Sequence, residues 1–264
     1  MGLGDWCLAS GEARYYNELH GLRCVFANEK RKISYNWDIF YNNPRVTASP
    51  LPGEQVVRIE NFAGSRPYIG SVTEDRFTWF LDYRASPGEI WLTDQEKQIG
   101  IEDAVIIEPY VKDHHVFSQN KAWPLERWQA LVEAMPDVRW VQLGAPDRKS
   151  LKGVRKINTR TFREALPYLN KARLVVTTDG GLHHTRAALG RDAVVLWGGL
   201  VPPTMLGYEM HKNIWHRAEP CGNRFLCDHC KQAMESITVE EVKDAVEGRL
   251  NNSHAHEGQA AAVS

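Results

Sequence analysis

The segment spanning residues 174–184 combines a glycine turn with side chains that can bind an anion. An apolar run ends in Asp179-Gly180-Gly181, and His183 and His184 follow. Glycines let the backbone approach a ligand closely, and the free amides at a helix start favour an anion such as a diphosphate. Asp179 could accept from sugar hydroxyls, and His184 could donate to a phosphate. A capped helix with internally bonded histidines would give the same pattern, and both interpretations stay open.

A second group of reactive side chains lies towards the C-terminal end of the chain. Cys227 and Cys230 form a Cys-x-x-Cys pair, and Cys221 lies a short loop upstream. His216 and His229 belong to the same cluster. Three thiolates with a histidine, for which His216 is the predicted ligand, could complete a tetrahedral zinc site. Such a site normally has two Cys-x-x-Cys pairs, and this sequence has one complete pair and one further cysteine. Reduced, half-buried thiols are therefore the alternative, and neither interpretation assigns the group a catalytic role.

The elements that must position these groups are clearest in the C-terminal half. Predicted strands cover residues 104–107, 138–143, 174–178 and 193–197. Helices are predicted between them at residues 123–135, 161–170 and 182–189, and a last one begins at residue 238. Capping boxes at Thr161 and Thr238 support two of these helices. Strands that alternate with helices at this spacing predict an α/β fold with a parallel, doubly wound sheet, whose ligands bind at the C-terminal ends of the strands.

The N-terminal half has a less regular pattern. A short glycine turn precedes a predicted helix over residues 8–19, and strands are expected at residues 24–27 and 56–59. The aromatic side chains of residues 61–91 are most simply the core of a small lobe, and a stacking surface for an acceptor is the alternative. We expect an N-terminal lobe over residues 1–100, a C-terminal lobe over residues 101–250 and a flexible tail over residues 251–264.

Composition excludes some classes of function. The chain has 264 residues, of which 43% are hydrophobic, enough to bury a sizeable core. Lys and Arg total 32 against 33 for Asp and Glu, so net charge does not favour a general nucleic-acid binder. Residues 1–6 lack the basic segment of a secretory signal, and no apolar run could span a bilayer. A cytoplasmic protein with reduced cysteines is therefore expected.

Five segments carry motifs that occur together, in this order, in one family. Residues 2–5, GLGD, resemble an S-x-G-D turn, and residues 121–128, KAWPLERW, resemble K-x-W-P-x-E-x-W. Residues 178–190 resemble the signature D-[TS]-G-L-[ST]-H-x-x-x-A-L-[GD]. Residues 143–147 fall where this family has a loop near the donor nucleoside, and residues 194–203 resemble its following strand and glycine-proline loop. The chain thus resembles glycosyltransferase family 9, the heptosyltransferases.

This resemblance implies a GT-B fold, in which two Rossmann-like lobes face each other across the active site, here with a reduced N-terminal lobe. Asp5 matches the family's general base, which activates an acceptor hydroxyl, although an aspartate there could instead cap the following helix. Lys121 matches a lysine that binds the donor phosphates and would stabilise the departing diphosphate. The other donor-binding positions implied are Gly4, Ser118, Gly144, Asp179, Gly180, Gly181, His183 and His184.

The function implied is transfer of a heptose or hexose from a nucleoside-diphosphate sugar to a hydroxyl of a glycan or lipid-linked glycan acceptor. One base and no second carboxylate nucleophile imply a single displacement with inversion. The sequence has no Asp-x-Asp motif, which fits a metal-independent reaction that requires no cofactor. Gly180 and His183 depart from the residues usual in the family, and both lie where the donor would bind.

Three other functions remain open at this stage. One is a sugar transferase that acts on modified nucleic acid, which the aromatic and arginine-containing stretch would suit. Another is a noncatalytic nucleotide-sugar-binding module, against which the presence of both Asp5 and Lys121 argues. The third is a zinc-stabilised interaction domain.

Overall fold

A computed structural model describes residues 2–111 and 116–261 and confirms the predicted α/β fold. The helices are α1 (Leu3–His20), α2 (Trp37–Phe40), α3 (Asp94–Lys97), α4 (Leu125–Ala134), α5 (Phe162–Lys171), α6 (Gly181–Ala188), α7 (Pro203–Leu206), α8 (Asp228–Ser236) and α9 (Val239–Ala261). The strands are β1 (Arg23–Ala27), β2 (Val56–Glu60), β3 (Ile69–Val72), β4 (Phe77–Trp79), β5 (Val105–Glu108), β6 (Trp140–Gly144), β7 (Arg155–Asn158), β8 (Leu174–Thr178), β9 (Val194–Trp197) and β10 (Lys212–Trp215). Short 3-10 helices lie at Ala63–Ser65 and Val116–Lys121.

Six parallel strands form the central sheet, in the order β10-β9-β8-β5-β6-β7. The strands β8 and β9 are buried along their whole length, as expected where helices cover both faces of a parallel sheet. From β5 the chain builds outward to β7, and it then returns to place β8 on the other side of β5. The strand order therefore reverses between β5 and β8, and the C-terminal ends of these two strands are where such sheets bind ligands.

Local signals account for the helices that flank this reversal. Thr161 caps α5 as predicted, since its side chain accepts a hydrogen bond from the amide of Glu164 at 3.2 Å. The helix α4 buries Trp128 and Leu131 fully, and it packs against α9. Truncating a buried tryptophan to alanine typically costs about 3–5 kcal/mol, so this interface anchors α4 and the segment that precedes it.

The N-terminal helix α1 begins at Leu3, five residues earlier than predicted. The reason is a cap, because a side-chain oxygen of Asp5 accepts a hydrogen bond from the amide of Gly2 at 2.8 Å. The GLGD segment is therefore the start of the helix rather than a turn that precedes it. The helix ends at Gly21, whose φ of 67° is the left-handed conformation common after a helix.

Two small sheets complete the N-terminal half. The two predicted strands are confirmed as β1 and β2, which pair in parallel, and the aromatic-rich stretch contains the antiparallel pair β3–β4. Within that stretch Tyr68 is buried in the core, as the first interpretation predicts, while Phe80 is 55% exposed. The acceptor surface stays a prediction.

One hydrophobic core extends from the N-terminal half into the main sheet. It includes Trp6, Phe26 and Phe40 together with Ile106 and Val175. The rings of Phe26 and Phe40 stack at 4.9 Å, and α1 packs directly on α6. The division into lobes near residue 100 stays a prediction.

The C-terminal helix α9 continues to Ala261, so it contains residues 251–261 of the predicted tail, and residues 262–264 lie outside the described residues. None of the described helices combines the length and the apolar character needed to cross a membrane.

Candidate functional site

A buried ion pair lies at the reversal of strand order. The ammonium group of Lys121 is 2.5 Å from an oxygen of Asp179, whose side chain is only 5% exposed. Lys121 ends the 3-10 helix after β5, and Asp179 directly follows β8, so the sheet brings these two predicted donor-binding residues together. A buried carboxylate requires such a partner, since removing one member of a buried pair leaves an uncompensated charge. A negatively charged ligand that bound Lys121 would compete with Asp179.

His183 and His184 follow at the start of α6, and both form hydrogen bonds within the protein. The Nδ1 atom of His183 accepts from the amide of Gly180 at 3.0 Å, so its Nε2 carries the proton and donates to the carbonyl of Leu206. The Nδ1 atom of His184 is 2.7 Å from the hydroxyl of Tyr208. His183 therefore accepts the hydrogen bond of a backbone amide that was predicted to bind an anion.

Burial keeps both imidazoles neutral. It lowers the pKa of His183 to about 4, although the charge of Asp179 opposes this effect. Burial, and then the neighbouring His183, hold the pKa of His184 well below its ordinary value. At neutral pH the positive charge beside Asp179 is therefore that of Lys121.

The first turns of α1 and α6 lie in direct contact, which brings Asp5 close to the start of α6. A Cβ atom on Gly4 would lie 2.7 Å from the ring of His184, and one on Gly181 would lie 3.2 Å from the side chain of Leu3. This approach requires glycine on the α1 side and explains why the two predicted motifs meet. It also covers one side of the α6 start with protein.

Three groups hold the carboxylate of Asp5. The amide of Gly2 donates to Oδ2, the guanidinium of Arg66 lies 2.8 Å from the same oxygen, and the hydroxyl of Tyr68 donates to Oδ1. Burial and the charge of Asp5 hold the pKa of Tyr68 well above its ordinary value, so the phenol keeps its proton. Asp5 also lines a cavity of about 420 Å³. It thus caps its helix and faces open space at the same time.

A third carboxylate, which the sequence analysis did not single out, ends β5. Glu108 lies 3.2 Å from Arg148, whose guanidinium covers the ring of Tyr110 at 5.0 Å. Burial raises the pKa of Glu108 to about 7, although the charge of Arg148 opposes it. Its signal in the sequence was a glutamate directly after an apolar strand.

Two further predicted donor positions lie near this reversal. Gly144 ends β6 with a φ of 156°, and a Cβ there would lie 3.1 Å from the side chain of Arg148. Ser118 is buried within the 3-10 helix that ends at Lys121. Their contact with a donor stays a prediction.

The three predicted thiols come together beside this 3-10 helix, which contacts α8. Potential ligand atoms of Cys221, Cys227, His229 and Cys230 all lie within 4.8 Å of one another, and the sulfur atoms of Cys221 and Cys230 are 3.2 Å apart. A hydrogen bond from the Cys230 thiol lowers the pKa of Cys221 to about 5. Three thiols and one imidazole suit a tetrahedral zinc or iron ion.

The structure does not place His216 with these thiols. Its ring nitrogens lie 2.8 Å from the hydroxyl of Ser236 and 2.8 Å from a carboxylate oxygen of Glu241. His229, inside the Cys-x-x-Cys pair, occupies the fourth position of the group instead.

Asn120 connects this thiol group to the donor side. Its side-chain amide donates to the carbonyls of Asn223 and Phe225, and its side-chain oxygen accepts from the amide of Cys227. Since Asn120 directly precedes Lys121, the loop that carries the thiols also supports the lysine at the strand reversal.

Comparisons with known proteins give a family and a fold for this chain. Residues 80–231 match the profile of glycosyltransferase family 9 (heptosyltransferase). The crystal structure of a family 9 glycosyl transferase from Veillonella parvula DSM 2008 has a TM-score of 0.63 at 13% identity, with 96% of this chain and 95% of that chain covered. The iron-containing dodecameric glycosyltransferase TibC from enterotoxigenic E. coli H10407 has a TM-score of 0.67 at 13% identity, with 95% and 76% covered.

The lengths of the relatives differ. The chain spans 60% of the length of E. coli ADP-heptose LPS heptosyltransferase II, which matches at 16% identity over 72% of this chain with a TM-score of 0.48. No curated protein matches the sequence. The family profile covers more than half of the residues. The Veillonella structure, which matches over nearly the whole length of both chains, shares the GT-B fold of this chain, whose N-terminal lobe is reduced. The chain therefore belongs to glycosyltransferase family 9.

Proposed function

We propose that the protein transfers a sugar from a nucleoside-diphosphate sugar to a hydroxyl group of a glycan or lipid-linked glycan acceptor. The observation that carries this proposal is the position of Lys121, at the reversal of strand order and paired with Asp179. ADP-heptose is the first donor to test, because TibC, which has the same fold, is described in complex with ADP-D-β-D-heptose.

The donor would be held where Lys121 now contacts Asp179. The diphosphate would take over the ammonium group, and Asp179 would then accept hydrogen bonds from hydroxyls of the sugar. As the bond to the sugar breaks, negative charge grows on the departing diphosphate, and a fixed cation there stabilises that charge. His183 and His184 are neutral, so they would orient the donor rather than neutralise it.

Asp5 would act as the general base. Its carboxylate lines the cavity, and it lies beside the Gly4 contact with α6, so an acceptor hydroxyl in the cavity could reach both the base and the donor sugar. Removal of the hydroxyl proton by Asp5 would accompany attack on the anomeric carbon, with inversion in a single displacement. Tyr68 and Arg66 would orient the carboxylate during this step.

A metal ion bound by the thiol group would have a structural role. The group fits zinc or iron, and Cys221, Cys227, His229 and Cys230 would be its ligands. A bound ion would cross-link the loop that supports Asn120, and we assign it no step of the transfer.

Nucleotide binding tests the donor site. We expect ADP to raise the melting temperature of the wild type more than UDP, GDP or CDP, and Lys121→Ala to lose this increase. Lys121→Arg keeps a cation for Asp179 and tests the same site in a variant that retains the buried pair. Lys152→Ala, which removes an exposed lysine, is the matched control. The proposal would be contradicted if ADP raised the melting temperature of both Lys121 variants as much as that of the wild type. It would also be contradicted if no nucleotide raised the melting temperature of the wild type.

The base is tested separately. We expect ADP to raise the melting temperature of Asp5→Asn as much as that of the wild type. The rate of transfer should fall by about two orders of magnitude or more, since a general base typically contributes about 10²–10⁴-fold to the rate. Transfer would be measured as ADP release that depends on added acceptor. Turnover close to the wild-type rate would remove Asp5 from the mechanism.

A further inference from the structure

The loop between β10 and α8 has a potential metal ligand at each end. Cys221 and Cys227 bound the segment of residues 221–227, which we call the thiol loop, and both belong to the group of potential ligands. The backbone is also held at its first residue, where the amide of Cys221 donates to the carbonyl of Gly199 at 2.8 Å. An ion bound to both thiolates would close the loop at its ends and restrict the residues between them.

The middle of the thiol loop contacts the β3–β4 hairpin. The amide of Phe77 donates to the carbonyl of Gly222 at 2.8 Å, and the amide of Arg224 donates to the carbonyl of Asp75 at 2.8 Å. The guanidinium of Arg224 also donates to the carbonyl of Thr73, and it lies over the ring of Phe77 at 5.4 Å from the ring centre. The thiol loop therefore holds both the turn of the hairpin and the start of β4.

Gly222 permits this close approach of the two segments. Its φ of 62° is in the left-handed region, and a Cβ atom there would lie 2.0 Å from the carbonyl oxygen of Phe77. Glycine is the residue that meets both conditions without strain. The backbone of the thiol loop is thus fitted to the backbone of β4.

The other strand of the hairpin leads to Asp5. Tyr68 directly precedes β3, and its carbonyl accepts from the amide of Phe80, just after β4, at 3.0 Å. The amide of Ile69 donates to the carbonyl of Arg66 at 3.1 Å. The hydroxyl of Tyr68 and the guanidinium of Arg66 hold the two carboxylate oxygens of Asp5. The side chains that orient the proposed base are therefore joined to the hairpin that the thiol loop holds.

We propose that the thiol loop positions the β3–β4 hairpin, with Arg224 as the positioning residue, and thereby sets the orientation of Asp5 for catalysis. This inference rests on the proposed function, which makes Asp5 the general base. Because a misplacement of about 1 Å can cost a factor of about 100 in rate, a displaced hairpin should slow the reaction. An ion bound to the thiols would stabilise the same arrangement, because it fixes both ends of the loop.

Hydrogen exchange tests whether the loop holds the hairpin, and it needs no substrate. We expect the amides of residues 73–80 to exchange about tenfold faster or more in Arg224→Ala than in the wild type, because the contacts of the guanidinium are lost. Arg224→Lys should restore most of the protection, since an ammonium group can also donate to Thr73 and lie over Phe77. Arg155→Ala removes an exposed arginine from β7, at the opposite edge of the main sheet from β10, and is the matched control. Unchanged exchange in Arg224→Ala would overturn the proposal.

The wild type gives a second test that depends on no variant. Protein stripped of metal by a chelator should exchange the amides of β4 faster than the same protein loaded with Zn²⁺, because the ends of the thiol loop are then free to separate. Elemental analysis would give the zinc bound per chain in both samples. Equal exchange of β4 in the two samples would contradict the effect of the ion on the hairpin.

Kinetics test whether the hairpin acts through Asp5. The reaction is ADP release from ADP-D-β-D-heptose with water in place of the acceptor hydroxyl. Arg224→Ala should lower kcat about tenfold or more, since it disturbs the position of the base. The KM for the donor and the rise in melting temperature with ADP should not change, because Asn120 contacts backbone carbonyls of the loop that this variant keeps. Arg224→Lys should restore most of the rate.

A double-mutant cycle with Tyr68→Phe identifies the route. That variant removes the hydroxyl that donates to Asp5 and should also lower kcat. If Arg224 acts through this contact, the double variant should be little slower than the slower single variant, because both changes disturb the same carboxylate. Effects of the two changes that multiply, or a weaker affinity for ADP in Arg224→Ala, would overturn the proposal.

Failure of the proposed function would give a different pattern from failure of this inference. A wild type that neither binds ADP nor releases it from the sugar nucleotide would contradict the transferase proposal, whatever the exchange of the hairpin. A wild type that binds ADP and releases it from the sugar nucleotide, with a hairpin whose exchange does not depend on Arg224, would contradict the role of the thiol loop alone.

Discussion

The glutamate that ends β5 gives a quantitative prediction for stability against pH. The pKa of Glu108 is raised by burial from 4.5 to about 7 in the folded protein. A raised carboxyl pKa means that the group stabilises the folded state below its unfolded pKa and that this contribution is lost as the pH rises through about 7. As the pH rises, the wild type should therefore lose stability relative to Glu108→Gln, which has an uncharged amide at this position.

The magnitude follows from the shift. A difference of about 2.5 pKa units at about 1.4 kcal/mol each gives about 3.5 kcal/mol once Glu108 is ionised in both states. Most of this difference develops between pH 5 and pH 8, so Glu108→Gln should gain about 2.5 kcal/mol over the wild type across that interval. The amide can still accept the hydrogen bond from the amide of Tyr110, and Arg148 remains partly solvated.

Urea unfolding of both proteins at several pH values measures this gain, because the contributions of all other groups cancel in the difference. Glu96→Gln is a control for which the opposite change in stability with pH is expected. Burial alone would raise the pKa of Glu96, but its hydrogen bonds with Arg163 and Thr93 outweigh that effect and lower it. That variant should be less stable than the wild type at neutral pH, and the deficit should shrink in acid. A constant difference between Glu108→Gln and the wild type from pH 5 to pH 8 would refute the assignment.

Three glycines give predictions of different sign. Gly88→Ala would place a Cβ 2.0 Å from the carbonyl oxygen of Cys7, so the unfolding free energy should fall by about 1–3 kcal/mol in urea titrations. Gly199→Ala would place a Cβ 2.4 Å from the ring of His229, so the ring must move and the zinc or iron retained per chain should fall, as measured by elemental analysis. Gly248→Ala in α9 meets nothing within 4 Å and should stabilise the protein by about 0.5–1 kcal/mol.

The parts of the fold with strong local signals could be predicted from the sequence. Strand β8 has the predicted bounds, and α5 begins at its predicted cap, because an apolar run and a capping threonine are features of adjacent residues. The strand β7 was missed, since its side chains are half-buried or exposed at the edge of the sheet and form no apolar run. Edge strands of this kind are defined by a neighbouring strand that the local sequence does not reveal.

The site shows the same division. The pairing of Lys121 with Asp179 joins two motifs whose residues were both named in advance. The contacts of Asp5 with Arg66 and Tyr68 could not be predicted, because more than sixty residues separate them and only the packing of the chain brings them together. His216 was predicted as a metal ligand from its residue type alone, which does not determine the position of the residue in the fold.

The three hydrogen bonds of Asn120 make the cysteine-containing loop a brace for the lysine next to it. Oxidation of the thiols, or loss of an ion from them, would loosen that brace one peptide bond away from Lys121, the cation that we propose binds the donor. The redox and metal status of the protein should consequently be measurable as nucleotide affinity, although the proposed transfer uses no sulfur atom.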